Sequence, residues 1–174
     1  MTYYLFAKFF QHLSTDELMQ HCVEAGLDGP TALIRDGYWI EDTNLTTALP
    51  AFVRRAESAG LEVRFASTGF SLEELAADST PLRVLADNGI TAARVGYIRK
   101  NATPHVRDLH EHVHSLMARV AESASGCGVR IVVQIQGVPG RDRDQRRLQA
   151  AFRRSEQRRE RLAERVRAGV RGTE

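Results

Sequence analysis

Apolar residues along this chain fall into two alternating rhythms: short unbroken runs of strand length, and longer stretches in which they recur every three or four positions. The strand-like runs are Tyr3 to Phe10, Asp28 to Arg35, Leu61 to Thr68, Ile90 to Arg99 and Val129 to Ile135. Between them, Leu18, Cys22 and Val23 share one helical face; Leu45, Leu49, Phe52, Val53 and Ala56 share another. A third helical stretch runs from Ser71 to Gly89 with an interruption near Pro81, and Val106, Leu109, Val113, Leu116 and Val120 form the clearest stripe of all. Each helical stretch ends in glycine followed at once by an apolar residue: Gly26-Leu27, Gly60-Leu61, Gly89-Ile90 and Gly128-Val129, spaced 34, 29 and 39 residues apart. Glycine takes up the left-handed cap conformation cheaply and so lets the chain fold back into a parallel strand. Ser14 with Glu17, and Ser71 with Glu74, have the spacing of a capping box at helix starts.

Strands alternating with helices at this spacing predict a parallel sheet with right-handed crossovers, a barrel or a doubly wound α/β fold. The rhythm stops after Pro139, beyond which the β-branched residues Val166, Val170 and Thr173 stand apart and no sixth strand can be drawn. Leu148 with Phe152, and Leu162 with Val166, are the large apolar pairs left, which predicts an arginine-rich helix from about Gln145 to Arg167. The expected division is therefore a strand-and-helix part over 1–139 and a basic helical or disordered tail over 140–174.

Charge sharpens that division. Residues 1–140 carry 12 Lys and Arg against 16 Asp and Glu, a balance of −4, whereas 141–174 carry 12 Arg against 6 acids, a balance of +6. Clustered arginine suits nucleic acid, but the acids here alternate with the arginines and Phe152 is the sole aromatic platform, which argues against that role. The abrupt change at Gly140-Arg141 suits a terminus unrelated to the preceding barrel, including one read in a shifted frame. With 174 residues the chain suits one domain, short of the roughly 250 of a closed eight-stranded barrel. No apolar run is long enough to span a bilayer and the N-terminus lacks a basic leader, so a soluble, cytoplasmic protein with no membrane partner is expected. Cys22 and Cys127 follow no disulfide or zinc pattern and are expected as free thiols.

Several ordered features resemble one family. They are Phe6-Ala7-Lys8-Phe9-Phe10 followed by Leu13 to Leu18, Gly26-Leu27-Asp28-Gly29 with Arg35 at the strand end, Leu49-Pro50, Gly60-Leu61-Glu62-Val63, and Arg94-Val95-Gly96-Tyr97. Over residues 1–139 the chain resembles the sugar phosphate isomerase/epimerase family, the xylose-isomerase-like TIM barrels. The resemblance implies an incomplete (β/α)8 barrel of about five parallel strands and an isomerase or epimerase of a small sugar or sugar phosphate. It also implies a divalent metal, Mn or Mg, whose carboxylate and histidine ligands begin at the end of the fifth strand and which works with a proton-moving glutamate. Here that strand end reads Gln134-Ile135-Gln136-Gly137, and neutral amides contribute no charge to a hard cation. No metal ligand or catalytic residue is carried over, and no cofactor is expected in this chain.

Lys8, Arg35, Arg94, Tyr97 and Gln136 are the polar residues near predicted strand C-termini, where a barrel binds its substrate. They are the candidate substrate-binding groups. His110-Glu111-His112-Val113-His114 matches the H-E-x-x-H zinc pattern, but on a helical wheel His110 and His114 flank the apolar stripe while Glu111 faces outward, as on an ordinary solvated helix. An open sheet leaves its first and fifth strands with unpaired edges, which predicts self-association or a covering segment. The rival to an isomerase or epimerase is thus a non-catalytic remnant that associates with its own copies through the open edge.

Overall fold

The computed structural model describes residues 2–96 and 106–134 of the chain, all within one compact unit, Met1–Gln134. Tyr97, Gln136, the predicted C-terminal helix and the basic tail lie outside the described residues.

The strands are β1 (Tyr4–Leu5), β2 (Gly29–Pro30), β3 (Ala32–Ile34), β4 (Phe65–Thr68), β5 (Ala92–Arg94) and β6 (Arg130–Val132). The helices are α1 (Thr15–Glu24), α2 (Leu45–Ser58), α3 (Leu72–Ala77), α4 (Thr80–Asp87) and α5 (Val106–Cys127). Every pairing is parallel: β1 pairs with β2, and β3, β4, β5 and β6 lie side by side in that order. Consecutive parallel strands joined through helices make this a partial (β/α)8 barrel. Among the described residues, β1 and β6 each have a single neighbouring strand.

All four predicted helix ends use one device. Gly26, Gly60, Gly89 and Gly128 have φ of 64°, 74°, 75° and 76°. The next residue then donates its N–H five positions back, Leu27 to Cys22, Leu61 to Ala56, Ile90 to Leu85 and Val129 to Ala124, at 2.9 to 3.0 Å. This is the Schellman closure, and three of the donors, Leu61, Ile90 and Val129, are buried, so each cap also anchors the entry to the next strand.

The helix starts match as well. Ser14 and Ser71 each accept from the backbone N–H of the glutamate three residues on, while that glutamate receives the serine N–H at 2.7 Å. These bonds from Ser14 hold the Glu17 carboxyl below its ordinary value of 4.5. A depressed folded-state value stabilises the fold above the unfolded pKa and loses that contribution as pH falls through the folded one. Ser14→Ala is therefore expected to lower the melting temperature at neutral pH, with the gap to the unsubstituted protein narrowing below pH 4.5. Thermal melts across that range measure it.

Three predicted elements differ in detail. The first strand stops at Leu5, and Ala7–Phe10 forms a 3-10 turn instead. Of that turn only Ala7 enters the core, while Phe9 is 75% exposed, so the continuous aromatic run marks a turn and not a strand buried on both faces. The Tyr38 hydroxyl donates to Lys8 O in this turn, and the Trp39 indole to Leu13 O in the segment that follows it. The second strand is divided at Thr31, so that β2 serves β1 and β3 serves β4. In the third helical stretch the break comes at Asp78, whose extended backbone ends α3, and Pro81 lies in the first turn of α4, where its missing N–H is harmless.

One core runs through the unit. Leu18, Leu49, Phe52, Leu82, Leu85 and Val120 from the helices are buried, together with Leu33, Ile34, Ala66 and Val95 from the strands. The pairing register places Ile34 beside Thr68, and Leu33, Ser67, Arg94 and Val132 in a row on the opposite face. Among the described residues no helix is long and apolar enough to cross a membrane.

Candidate functional site at the strand C-termini

The row Leu33, Ser67, Arg94, Val132 is where the sheet stops being apolar. Ser67 is fully buried and Arg94 is 6% exposed. Burying a guanidinium is costly unless its donors are met. Here Arg94 Nε donates to Ser67 Oγ at 2.9 Å and Nη1 donates to Gln134 Oε1 at 2.7 Å, fixing the plane of the fork between β4 and the end of β6. Thr68 Oγ1 donates to the Arg94 carbonyl at 3.0 Å and locks the backbone of β5 to β4.

Just beyond the paired residues, each strand end carries one of a set, Arg35, Gly69, Gly96 and Gln134. Its two central positions have no side chain. A Cβ at Gly96 would lie 2.6 Å from the Gly69 carbonyl oxygen and 2.9 Å from that of Phe70, so the position admits nothing larger than glycine without a backbone shift. The Gly96 N–H donates to Phe70 O at 2.7 Å, holding β5 close against the end of β4. Over Gly69 passes the stem of Arg35, its Cγ 3.8 Å from where a Cβ would stand. The ends of β4 and β5 are thus closely packed just beyond Ser67 and Arg94, with the Arg35 stem beside Gly69.

Arg35 Nε is buried and has no hydrogen-bond partner among the described residues. An unmet buried donor costs about 1 to 3 kcal/mol, and more for a charged group.

Of the candidates read from sequence, Arg35 and Arg94 both lie at this face. Lys8 is exposed on the turn after β1, with Nζ 5.9 Å from the Phe9 ring centroid, and forms no ion pair among the described residues. Tyr97 and Gln136 lie outside the described residues. Ser67, Gln134, Gly69 and Gly96 were not singled out from sequence, although Ser67-Thr68-Gly69 and Arg94-Val95-Gly96 repeat one pattern, a polar residue two places before glycine at a strand end.

The donor set does not fit a divalent cation. Among the described residues, these strand ends carry the guanidiniums of Arg35 and Arg94, and the amide oxygen of Gln134 already accepts from Arg94. A hard cation prefers clustered anionic oxygens; among the described residues no three His, Cys, Asp or Glu side chains come together to hold one. On α5, Glu111, His112 and His114 are exposed while Leu116 and Val120 are buried, as a solvated face over an apolar stripe requires. His112 Nε2 lies 3.5 Å from Glu73 Oε1 on α3, with both side chains more than half exposed. Neither cysteine is in a disulfide, and burial pushes the Cys22 thiol above its ordinary range, away from nucleophilic use.

No protein-family model and no curated protein sequence matches this chain. Solved structures do. Protein SMc04130 from Sinorhizobium meliloti 1021 superposes with a TM-score of 0.58 at 14% identity, over 75% of this chain and 49% of that one. A mannonate dehydratase from Streptococcus suis serotype 2 gives 0.55 at 12%, over 76% and 51%. A sugar phosphate isomerase/epimerase from Parabacteroides distasonis ATCC 8503 gives 0.54 at 15%, over 81% and 57%. The chain thus spans about half the length of these proteins. In fold, this chain is a partial (β/α)8 barrel of the kind found in the sugar phosphate isomerase/epimerase, as its sequence resemblance implied.

Proposed function

We propose that the strand C-terminal face binds a small sugar or sugar phosphate, and that it supplies the substrate-binding part of an isomerase- or epimerase-type site without the metal-binding part. The observation that carries this reading is the buried Arg94 fork, oriented by Ser67 and Gln134 at the end of the sheet where barrels bind ligands. The fork fixes the Ser67 hydroxyl and the Gln134 amide in a polar, cationic setting, which suits the hydroxyl groups of a sugar. The fold likeness to a sugar phosphate isomerase/epimerase supports the substrate class. The reading treats residues 140–174 as a separate arginine-rich tail and takes the protein to be cytoplasmic.

A second reading has its own support. The cationic and amide character of these strand ends favours binding without metal-dependent turnover, hence a non-catalytic module. The backbone groups along the outer edges of β1 and β6 would let it associate with a second copy.

Calorimetric titration of the full chain with a panel of neutral aldoses, ketoses and their phosphate esters, with and without Mn(II), tests the first reading. Saturable binding of at least one member without Mn(II) is the expected result; no binding across the panel refutes it. Sugar turnover by the isolated chain would refute the non-catalytic alternative, and a monomer in size-exclusion chromatography would remove its self-association.

A further inference from the structure

Resting on the reading that the outer strand edges support self-association, we infer that β1 alone makes the contact, pairing antiparallel with β1 of a second copy about a two-fold axis at Tyr4. Two features of this segment set it apart. Among the described residues four large apolar side chains are exposed, and three of them, Tyr3, Phe6 and Phe9, fall within or beside β1. The same strand has β2 as its single neighbour there. On that inner side Asp28 N–H donates to Tyr3 O at 2.9 Å and Thr31 N–H to Leu5 O at 2.8 Å. Successive residues of a parallel strand address its two sides in turn, so the Tyr4 N–H and C=O and the Phe6 N–H point to the outer side.

Charge decides the occupant. A two-fold contact sets each residue opposite itself or a near neighbour, so a charged side chain close to the axis meets its own like. From Thr2 to Ala7 the chain carries no Lys, Arg, His, Asp or Glu, and so nothing to repel a second copy of itself. Edge strands are ordinarily guarded by charge or proline, and this stretch has neither. The opposite edge differs: Arg130 stands exposed on β6, the kind of residue that blocks edge-to-edge pairing. A β1-to-β6 contact would also leave a free edge at each end and grow into a ring or filament, whereas β1 on β1 closes at two copies. Centred on Tyr4, the register lets the two Tyr4 residues exchange both backbone bonds and brings each Phe6 N–H to the Thr2 carbonyl of the other copy. It also sets Tyr3 opposite the other copy's Leu5, covering an exposed ring with an aliphatic chain.

Size-exclusion chromatography with light scattering of the full chain, over a concentration series, is expected to show a monomer–dimer equilibrium and nothing larger. Phe6→Lys gives the edge the guard it lacks, twice over in a two-fold contact, and is expected to raise the dimer Kd about tenfold or more. Val23→Lys adds the same charge at an exposed apolar position on α1 and is expected to leave Kd unchanged. Thermal melts of each variant confirm that it is folded. Opposed residues that exchange both backbone bonds have Cα atoms about 5.5 Å apart, within disulfide range. Tyr4→Cys, made together with Cys127→Ser so that Cys22, which is buried, is the one native thiol left, is therefore expected to give a disulfide-linked dimer on mild oxidation. A dimer that Phe6→Lys does not weaken, or that Tyr4→Cys does not cross-link, overturns the β1 contact and leaves self-association standing. So does any species larger than a dimer. A monomer at every concentration overturns both.

Discussion

Gly29→Ala is expected to destabilise the protein by about 3 kcal/mol or more, the largest effect of any single methyl group in the described fold. Gly29 lies in β2, paired with Tyr4, and a Cβ there would stand 1.8 Å from the carbonyl oxygen of Glu62 and 2.9 Å from its carbonyl carbon. Those atoms cannot simply retreat. The Glu62 N–H donates to Asp28 O at 2.8 Å, so the segment entering β4 is tied across the start of β2 by its own backbone. Relief of the clash means breaking that bond and separating the strands, which propagates into the buried side chains of Leu61 and Val63. In a chain of this size the loss corresponds to a drop of about 6 to 12 °C in melting temperature. Gly69→Ala is the matched control, because its Cβ would meet nothing closer than 3.7 Å. Thermal or denaturant unfolding of the two variants decides the point; equal stabilities would mean that the β2–β4 approach is looser than described.

Arg94→Met is expected to weaken sugar binding by about tenfold or more, because the fork that holds the Ser67 hydroxyl and the Gln134 amide in place is lost. Its effect on stability is expected to be smaller than its effect on binding. The variant removes a charge that is expensive to bury and fills similar space with a flexible apolar chain, which offsets the donors lost by Ser67 Oγ and Gln134 Oε1. Arg94→Lys is expected to fail as a replacement. A single ammonium on a flexible stem cannot hold Ser67 on β4 and Gln134 beyond β6 in one plane. Calorimetry with the best sugar of the panel reads both variants. Restored affinity in the lysine variant would show that charge alone suffices and that the orientation of the fork is irrelevant.

Arg35 and Arg94 were legible as candidates because each stands at the end of an apolar run, where a barrel opens to its ligand. Lys8 satisfied the same criterion, but the run that holds it turns after Leu5, so it stands on an exposed 3-10 turn rather than at the end of a strand. Ser67 was overlooked for the opposite reason. It sits inside a strand, and its importance comes from a partner 27 residues away in sequence. Gln134 is 40 residues from the arginine it binds. Nothing local to either residue announces the contact.

What the amino-acid order determined by itself is the set of helix boundaries and the alternation of helix and strand. The capping serines, their glutamates three positions on and the four left-handed glycines act within one helical turn, over distances at which the chain has few alternatives. Tertiary structure alone decided where the first strand would stop, that the second would be divided between two neighbours, and which face of each strand would meet which. Register depends on packing between segments some thirty residues apart, and a shift of one residue would exchange the Arg94 row for the Ile34 row. The contacts of Arg94 with Ser67 and Gln134 exist only in the register that brings Ser67, Arg94 and Val132 into line across β4, β5 and β6.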